Sequence, residues 1–432
     1  KPVGDDAFGE IQPDVIESRY SQRSLQDALD AANGTGIPVY LPPGAYSYDA
    51  YPIAENAILI GGGHTTVLMP TVETQSCVCL KGNGSAVIGC YLKGAGTARS
   101  GASTSTGFYV NTASQFLLEG NRISNVAGAG IIIENYASNG LIAGNLVISS
   151  WADGIHTTRA SNYVQVIGNE VRNPGDDQVA VVSYVNKDPD PCQHVEVIGN
   201  YCFGQAHGRG LTCVGGADVD IAFNETNQAS QAGIYLNAES SYASHAMDRI
   251  TVYDNTIRES SMAHTDADPT NNAGHGSIHI AARAGYEATD ISVMKNRTYN
   301  AHFRGLVIGS YISQLIIFDN IWDGCESNGV SMYGSDSTVI QNNQFLEVGL
   351  YGMYIDNTVL GDLVIDSNLF ISPNMQNVDS YIDVINVRSG SSLTSVQITN
   401  NHYENPAGNM IERYIQNGLP AGQSIISGNT SN

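Results

Sequence analysis

One short pattern recurs along most of this 432-residue chain. An apolar alternating stretch ends in Asn, as in FLLEGN (116–121), GLIAGN (140–145) and VQVIGN (164–169). The commonest spacing between successive Asn residues is 24, and AVIGC places Cys90 where an earlier Asn would stand. The aligned residues are Asn121, Asn145, Asn169, Asn200, Asn224, Asn255, Asn296, Asn320, Asn343, Asn368, Asn401 and Asn429. A repeat of this kind constrains the fold to a stack of similar units.

A period near 24 with two or three short strands per unit is typical of a parallel β-helix, in which neighbouring coils bury each other's apolar faces. Gly follows the Asn by nine residues at six places and precedes another alternating stretch. These residues are Gly130, Gly154, Gly233, Gly305, Gly329 and Gly352. The Asn is expected to take a left-handed bend and to bond the Asn one coil away. We therefore predict an all-β, single-stranded, right-handed parallel β-helix of about 12 coils.

The chain ends differ from the repeat. SLQDALDAA (24–32) predicts a short amphipathic helix that covers the open end of the solenoid. We assign 1–60 as an N-terminal cap segment, 61–410 as the β-helix and 411–432 as a C-terminal coil or cap. No linker rich in Pro, Ser or Gly separates these segments.

Charge and composition exclude several classes of partner. With 19 Lys and Arg against 42 Asp and Glu, the net charge is −23, which disfavours nucleic acid and anionic membranes. The first residues are Lys1 and Pro2, so we expect a removed leader and a secreted or extracellular protein, or a component of a phage particle. Seven Cys are present, and Cys192 with Cys202 is interpreted as either a disulfide or two buried thiols.

Polar residues gather where the period is interrupted. The residue before the recurring Gly forms a column along the axis that contains Asp153 and Asp177, one coil apart. Asp176 is adjacent, and His207 falls two positions before the column in the next coil. Carboxylates this close raise at least one pKa, which generates the proton donor that glycoside hydrolysis requires. Three inserted loops, at 184–192, 240–248 and 260–276, are expected to wall a groove beside them.

At these positions the sequence resembles the polygalacturonase-type glycoside hydrolases, which are right-handed parallel β-helices. ADGIH (152–156), GDDQVAV (175–181) and QAHGRGL (205–211) are similar to three successive motifs of that family. The resemblance implies an inverting hydrolysis in which Asp176 protonates the leaving oxygen, Asp153 and Asp177 activate water, and His207 orients or tunes the acid.

A fourth family motif carries two cations that hold a uronate, and here the corresponding coil reads GIYLNAE (233–239). Tyr235 and Asn237 replace those cations, so a neutral or amino sugar fits the site as well as a uronate. The expected substrate-binding residues are His156, Arg209, Tyr235, Asn237, Glu239 and Arg304. The expected partner is a polysaccharide or oligosaccharide.

Other interpretations of the same sequence stay open. A polysaccharide lyase or C5-epimerase would use His207, Tyr235 and Arg209 as base and cation. A phage tailspike depolymerase, a glycan-binding module or a purely structural solenoid would also have this repeat, and the chain is expected to be a monomer or a homotrimer. No cofactor and no metal at the active site is expected. DADP (266–269) and KDPDP (187–191) are the candidate places for a surface calcium ion.

Overall fold

The computed structural model describes residues 16–17, 22–204, 207–263, 274–356, 360–376, 382–388, 392–418 and 424–432. Part of the inserted loop at 260–276 and the whole of DADP (266–269) lie outside these residues. The described chain forms three parallel sheets of 16, 14 and 15 strands, which we call sheets 1, 2 and 3. Each coil contributes one strand to each sheet and pairs in parallel with the coils before and after it. The predicted right-handed parallel β-helix is confirmed.

Sheet 1 consists of Ile16–Glu17, Val39–Leu41, Ile58–Gly61, Ala86–Ile88, Leu117–Glu119, Ser138–Ala143, Asn162–Ile167, Gln193–Ile198, Gly216–Ala222, Met247–Tyr253, Ala288–Met294, Ile312–Phe318, Asp336–Gln341, Leu360–Asp366, Ser392–Thr399 and Ser424–Ser427. Sheet 2 consists of Ile53–Glu55, Val78–Lys81, Phe108–Asn111, Ile131–Glu134, Ile155–Thr158, Val179–Val182, Leu211–Val214, Ile234–Asn237, Gly276–Ala281, Arg304–Ile308, Val330–Met332, Met353–Ile355, Ile382–Val387 and Ile411–Asn417. Sheet 3 consists of Gly44–Tyr48, Thr66–Pro70, Tyr91–Lys93, Arg122–Ser124, Leu146–Ile148, Glu170–Arg172, Tyr201–Phe203, Glu225–Asn227, Thr256–Arg258, Arg297–Tyr299, Ile321–Asp323, Gln344–Leu346, Leu369–Ile371, His402–Glu404 and Thr430–Ser431.

The coils outnumber the predicted 12, because even the smallest sheet has 14 strands. Strands also occur before residue 61 and after residue 410, so the β-helix extends into both segments that were assigned as caps. The first coils lack a ladder Asn, which is why the sequence repeat did not reveal them. Three short 3₁₀ helices interrupt the early coils, at Gly63–Thr65, Glu73–Gln75 and Ser103–Ser105.

The predicted helix is present as Gln22–Ala32. Its buried residues Leu25, Leu29 and Ala32 join the core formed by the first coils. The helix therefore covers apolar side chains that the first coil would otherwise expose. No helix among the described residues is long and apolar enough to cross a membrane.

The asparagine ladder runs through the interior. From Asn121 to Asn401, each side-chain Nδ2 donates to Oδ1 of the Asn in the next coil at 2.9–3.0 Å. The backbone N of Cys90 donates to Asn121 Oδ1, so Cys90 holds the place in the ladder that the sequence assigned to it. The left-handed bend, however, falls one residue earlier than predicted, as at Gly120 (φ 61°) and Asp254 (φ 52°).

All seven cysteines are free and buried. Burial raises the pKa of the Cys192 thiol to about 11, and the same cause raises that of Cys202. These thiols belong to the apolar core. Of the two interpretations of Cys192 and Cys202, the structure has buried thiols and not a disulfide.

Candidate active site

Three carboxylates meet in the turns that lead from sheet 3 to sheet 2. Asp153 lies just before Ile155–Thr158, and Asp176 and Asp177 precede the strand one coil further on, Val179–Val182. The backbone N of Gly154 donates to Asp177 O at 2.9 Å, which fixes the register between the two turns. One oxygen from each of the three side chains lies within 4.8 Å of the other two. The column deduced from the sequence spacing thus brings the three aspartates together.

Asp153 is held in its ionised form. Its Oδ2 lies 2.5 Å from His156 Nδ1, and its Oδ1 accepts the backbone N–H of Asp177 at 3.1 Å. Burial raises the pKa of this carboxyl, but the positive charge and hydrogen bond of His156, with Arg99 further away, outweigh it and leave the pKa below its usual value. Burial lowers the pKa of His156 and Asp153 raises it more, so the imidazole titrates above its ordinary range.

The pKa of Asp177 is shifted in the opposite direction, upward. Asp177 is 5% exposed, and burial raises its pKa to about 7, although Arg209 lowers it. The neighbouring charges of Asp153 and Asp176 add to the increase. Its Oδ1 accepts the backbone N–H of Arg209 at 2.7 Å. The sequence prediction that crowding would raise at least one carboxyl pKa agrees with this geometry.

Asp176 is the most accessible of the three, with 21% of its side chain exposed. Its Oδ2 lies 2.6 Å from Arg99 Nη2, and a Cβ added at Gly208 would lie 2.5 Å from its Oδ1. Gly208 has φ of 99° and packs so closely against Asp176 and the Asp177 backbone that a side chain there would collide with them. Asp176 is therefore the carboxyl best placed to meet a ligand.

The imidazole that contacts a carboxylate belongs to His156, which we expected to bind substrate. His207, expected to orient the acid, is exposed, and no hydrogen bond or ion pair joins it to any described residue. The turn that carries His207 instead brings Gly208 against Asp176. Sequence spacing placed the right turn beside the carboxylates but did not show which side chain faces them.

Downstream of the triad, four of the expected binding residues form one network. Arg209 Nη2 donates to Glu239 Oε1 at 3.1 Å, and its guanidinium lies 4.4 Å from the centre of the Tyr235 ring. Tyr235 donates its hydroxyl to the same Oε1 at 2.7 Å, and Asn237 Nδ2 donates to that hydroxyl oxygen at 2.5 Å. The charge of Arg209 is thus matched by Asp177 and Glu239.

The next coils add two neutral histidines and a second arginine. The His275 and His279 rings lie 4.7 Å apart, and each also packs against Tyr235. Burial lowers the pKa of His275 to about 2 and that of His279 to about 3, with Arg209 adding to both decreases. Arg304 pairs in register with Gly276, three coils beyond Arg209, and its Nη1 donates to Gly274 O at 3.3 Å. Arg304 therefore belongs to the same face but not to the triad.

Two of the three predicted insertions contact each other on the far side of this face. The backbone N of Val185 donates to Ala243 O at 2.8 Å, and that of His245 donates to Ser183 O at 3.1 Å. Asp188 in the first insertion accepts from Arg159 Nε at 2.7 Å. The loops at 184–192 and 240–248 thus form a joined wall along the outer edge of sheet 2.

The opposite wall contains residues that the sequence interpretation missed. Arg99 lies in a long turn after Tyr91–Lys93, and Trp151 is 41% exposed and donates its indole N–H to Gly96 O at 3.2 Å. The interval from Cys90 to Asn121 is 31 residues, as long as two intervals that we did treat as insertions. That interval was the available signal for Arg99.

Among the described residues, the three aspartates are the only group of three metal-type ligands. Their charges are already balanced by nearby cations, since His156 contacts Asp153, Arg99 contacts Asp176 and Arg209 lies 3.8 Å from Asp177. In the candidate calcium segment KDPDP (187–191), Asp188 forms an ion pair with Arg159. The arrangement suits acid–base chemistry better than cation binding.

Comparison with known proteins supports the fold. Residues 56–261 match the family model for a right-handed β-helix region. No curated protein sequence matches the chain at a significant level. The chain is a right-handed parallel β-helix.

Several solved structures share this architecture. The catalytic domain of GH87 α-1,3-glucanase in complex with nigerose is 14% identical, with a TM-score of 0.57 over 98% of this chain and 70% of that one. The catalytic unit of a thermostable GH87 α-1,3-glucanase from Streptomyces thermodiastaticus strain HF3-3 is also 14% identical, with a TM-score of 0.61 over 97% and 69%. Three further GH87 structures carry single Asp-to-Ala substitutions, at positions separated by 23 residues and by one residue. Identity this low establishes the shared fold alone.

Proposed function

We propose that this protein hydrolyses a polysaccharide at Asp153, Asp176 and Asp177. The observation that carries the proposal is the grouping of three carboxylates on adjacent coils, of which Asp176 is partly exposed whereas Asp153 and Asp177 are buried. His156 keeps the pKa of Asp153 low despite its burial, whereas burial raises that of Asp177 to about 7, so both carboxylates are ionised above about pH 7. Glycosidic cleavage needs one carboxyl that donates a proton and an ionised carboxylate that activates water, and the three aspartates provide both.

The roles follow from exposure and contacts. Asp176, the most exposed, donates its proton to the leaving glycosidic oxygen as the bond to the anomeric carbon breaks. Asp153 and Asp177 position a water molecule and accept its proton as the water oxygen bonds to that carbon. Arg99 contacts Asp176 in this structure, and that contact must open before Asp176 can carry a proton to the glycosidic oxygen. His156 keeps Asp153 ionised for the same step.

The spacing of the three aspartates offers further support. Asp153 and Asp176 are 23 residues apart, and Asp177 follows directly. The Asp positions substituted in the three GH87 structures have the same separations. In those structures the substituted domains are bound to nigerose or tetrasaccharides. The same spacing of three aspartates on a similar fold supports the proposal that Asp153, Asp176 and Asp177 act on a glycan.

The substrate we propose is an uncharged glucan. Arg209 is neutralised by Asp177 and Glu239, and the positions where a uronate-binding enzyme would place cations hold Tyr235 and Asn237. Nδ1 of His275 and of His279 has no hydrogen-bond partner among the described residues. A sugar hydroxyl that reached either nitrogen would form the missing hydrogen bond and so offset the free-energy cost of burying that nitrogen unpaired. We place the reaction outside the cell, where a polymer of this size is accessible.

A substrate panel tests this proposal. The protein is incubated with α-1,3-glucan, other neutral glucans and polygalacturonate, and reducing ends and absorbance at 230 nm are followed. We expect new reducing ends from a neutral glucan and no absorbance increase. A product absorbing at 230 nm would identify a lyase, and turnover of polygalacturonate alone would refute the substrate class.

The anomeric configuration of the first product is read by proton NMR in the same experiment. The resemblance to polygalacturonases implies inversion, for which carboxyl groups usually lie about 6.5–9.5 Å apart. The nearest oxygens of the three aspartates lie within 4.8 Å of one another, which is shorter than that range, so the configuration of the product decides between inversion and retention. Retention of configuration would contradict the water-activating role of Asp153 and Asp177.

A further inference from the structure

A second groove crosses the outer face of sheet 1, away from the aspartates. Its volume is about 740 Å³. One side is lined by the first outward row of sheet 1, whose members are Gln115, Asn139, Tyr163, His194, Asp218 and Arg249. These residues come from six successive coils, and coils lie about 4.8 Å apart, so the row is about 24 Å long. We call this feature the side groove, and its length suits an extended chain.

The backbone of this row is left-handed throughout. The φ angles of all six residues lie at 53–54°. Asn, Asp and His take this conformation more readily than other residues with a side chain, and a tyrosine is less favourable in it. Tyr163 and His194 nevertheless occupy the two central positions. The repeated conformation places the six side chains along one line, with the two rings at its centre.

The two rings form an accessible flat surface. Tyr163 and His194 stack with centroids 4.5 Å apart and planes 17° from parallel. Tyr163 is 54% exposed although it belongs to a strand. Beside them Gln165 Nε2 donates to Glu196 Oε2 at 2.7 Å. Ring faces next to amide and carboxylate groups are suited to the flat apolar face and the hydroxyl rim of a sugar.

Charge decides which polymer fits. The one arginine of the groove, Arg249, donates from Nε and Nη2 to the two carboxylate oxygens of Asp218 at 2.6 and 3.0 Å. Glu196 and Asp220 add negative charge to the lining. A groove whose only cation is fully paired repels uronans, sulfated glycans and nucleic acids.

We propose that the side groove is a second, non-catalytic binding site for a neutral glycan chain. It holds the polymer on sheet 1 while sheet 2 carries the cleavage site, and Tyr163 and His194 provide the stacking surface. The choice of an α-glucan as probe rests on the proposed function, whereas the site itself does not.

The test compares binding with turnover. The double variant Tyr163→Ala/His194→Ala is mixed with insoluble α-1,3-glucan, and the fraction of protein that sediments is measured at 4 °C. The matched control is Tyr311→Ala, which removes an equally exposed tyrosine with φ of 62° outside the groove. We expect at least fivefold weaker partition of the double variant, with kcat/KM on a soluble oligosaccharide within twofold of wild type and an unchanged Tm.

Other results overturn the proposal. Equal partition of wild type and double variant, or an equal loss in the Tyr311→Ala control, would show that the side groove does not hold the glycan. In a competition experiment, wild-type protein bound to insoluble glucan is mixed with a lysine-rich peptide or with soluble dextran. Release by the peptide but not by dextran would assign the groove to a cationic protein partner. Weaker sedimentation of the double variant with glucan would support the side groove even if the aspartate variants kept full hydrolytic activity. The proposals for the side groove and for the aspartates therefore fail separately.

Discussion

Asp177 is expected to make the proposed activity dependent on pH. A residue that accepts a proton from water must first be ionised, and burial raises the pKa of Asp177 to about 7. We therefore expect kcat/KM to rise roughly tenfold per pH unit below about 7 and to fall again at higher pH as Asp176, the acid, loses its proton. A pH profile on a soluble oligosaccharide measures this limb. A profile that is flat from pH 5 to 8 would remove Asp177 from the water-activating role.

Single residues were the hardest part of the site to predict. Asp153 and Asp177 could be paired from the sequence, because the recurring Gly fixes their register. The contact of His156 with Asp153 could not, since it depends on which way a side chain three residues away turns. Arg99 is 77 positions before Asp176 in the chain and reaches it only through the coil stacking. Sequence spacing carries no information on such a contact.

The asparagine ladder is the element with the largest expected effect on stability. Asn200 Oδ1 accepts from the backbone N and the Nδ2 of Asn169, and its own Nδ2 donates to Val166 O and to Asn224 Oδ1. Asn200→Ala removes four buried hydrogen bonds and takes away the partner of the Asn169 backbone N–H, and a buried group left unpaired costs about 1–3 kcal/mol. We expect a loss of about 3–6 kcal/mol in the free energy of unfolding, measured by chemical denaturation.

The matched control for this change is Asn429→Ala at the end of the ladder. Asn429 makes similar bonds to Asn401 but is only half buried, so water replaces them. We expect a loss of less than about 1 kcal/mol there. Equal losses at the two positions would mean that burial does not determine the strength of the ladder.

Strand alternation and the ladder made the architecture of each coil predictable. Val164 and Val166 point inward and Gln165 outward, as the period-2 pattern requires. The exact position of the left-handed bend was not predictable from the repeated Asn, because both that Asn and its predecessor tolerate such a turn in principle. The coils before Cys90 escaped notice because no Asn stands at the ladder position there.

At the scale of the whole molecule, the solenoid separates scaffold from chemistry. The interior ladder and the apolar core set the coil spacing, and the turns between sheets 3 and 2 then present Asp153, Asp176 and Asp177 on one face. Long turns on either side form the walls. The β-helix architecture followed from the period and the N-terminal helix from its amphipathic pattern, whereas the partners of each carboxylate required the folded chain.

The measurement that tests the central claim most directly compares Asp176→Asn with wild type on a neutral glucan and on a glucosyl fluoride. Fluoride leaves without a proton from the enzyme. The account predicts a loss of about 10²–10⁴-fold in kcat on the glucan and a much smaller loss on the fluoride, with an unchanged Tm. Asp177→Asn should lose activity on both substrates. Full activity of Asp176→Asn on the glucan, or rescue by the fluoride in Asp177→Asn alone, would contradict the assignment.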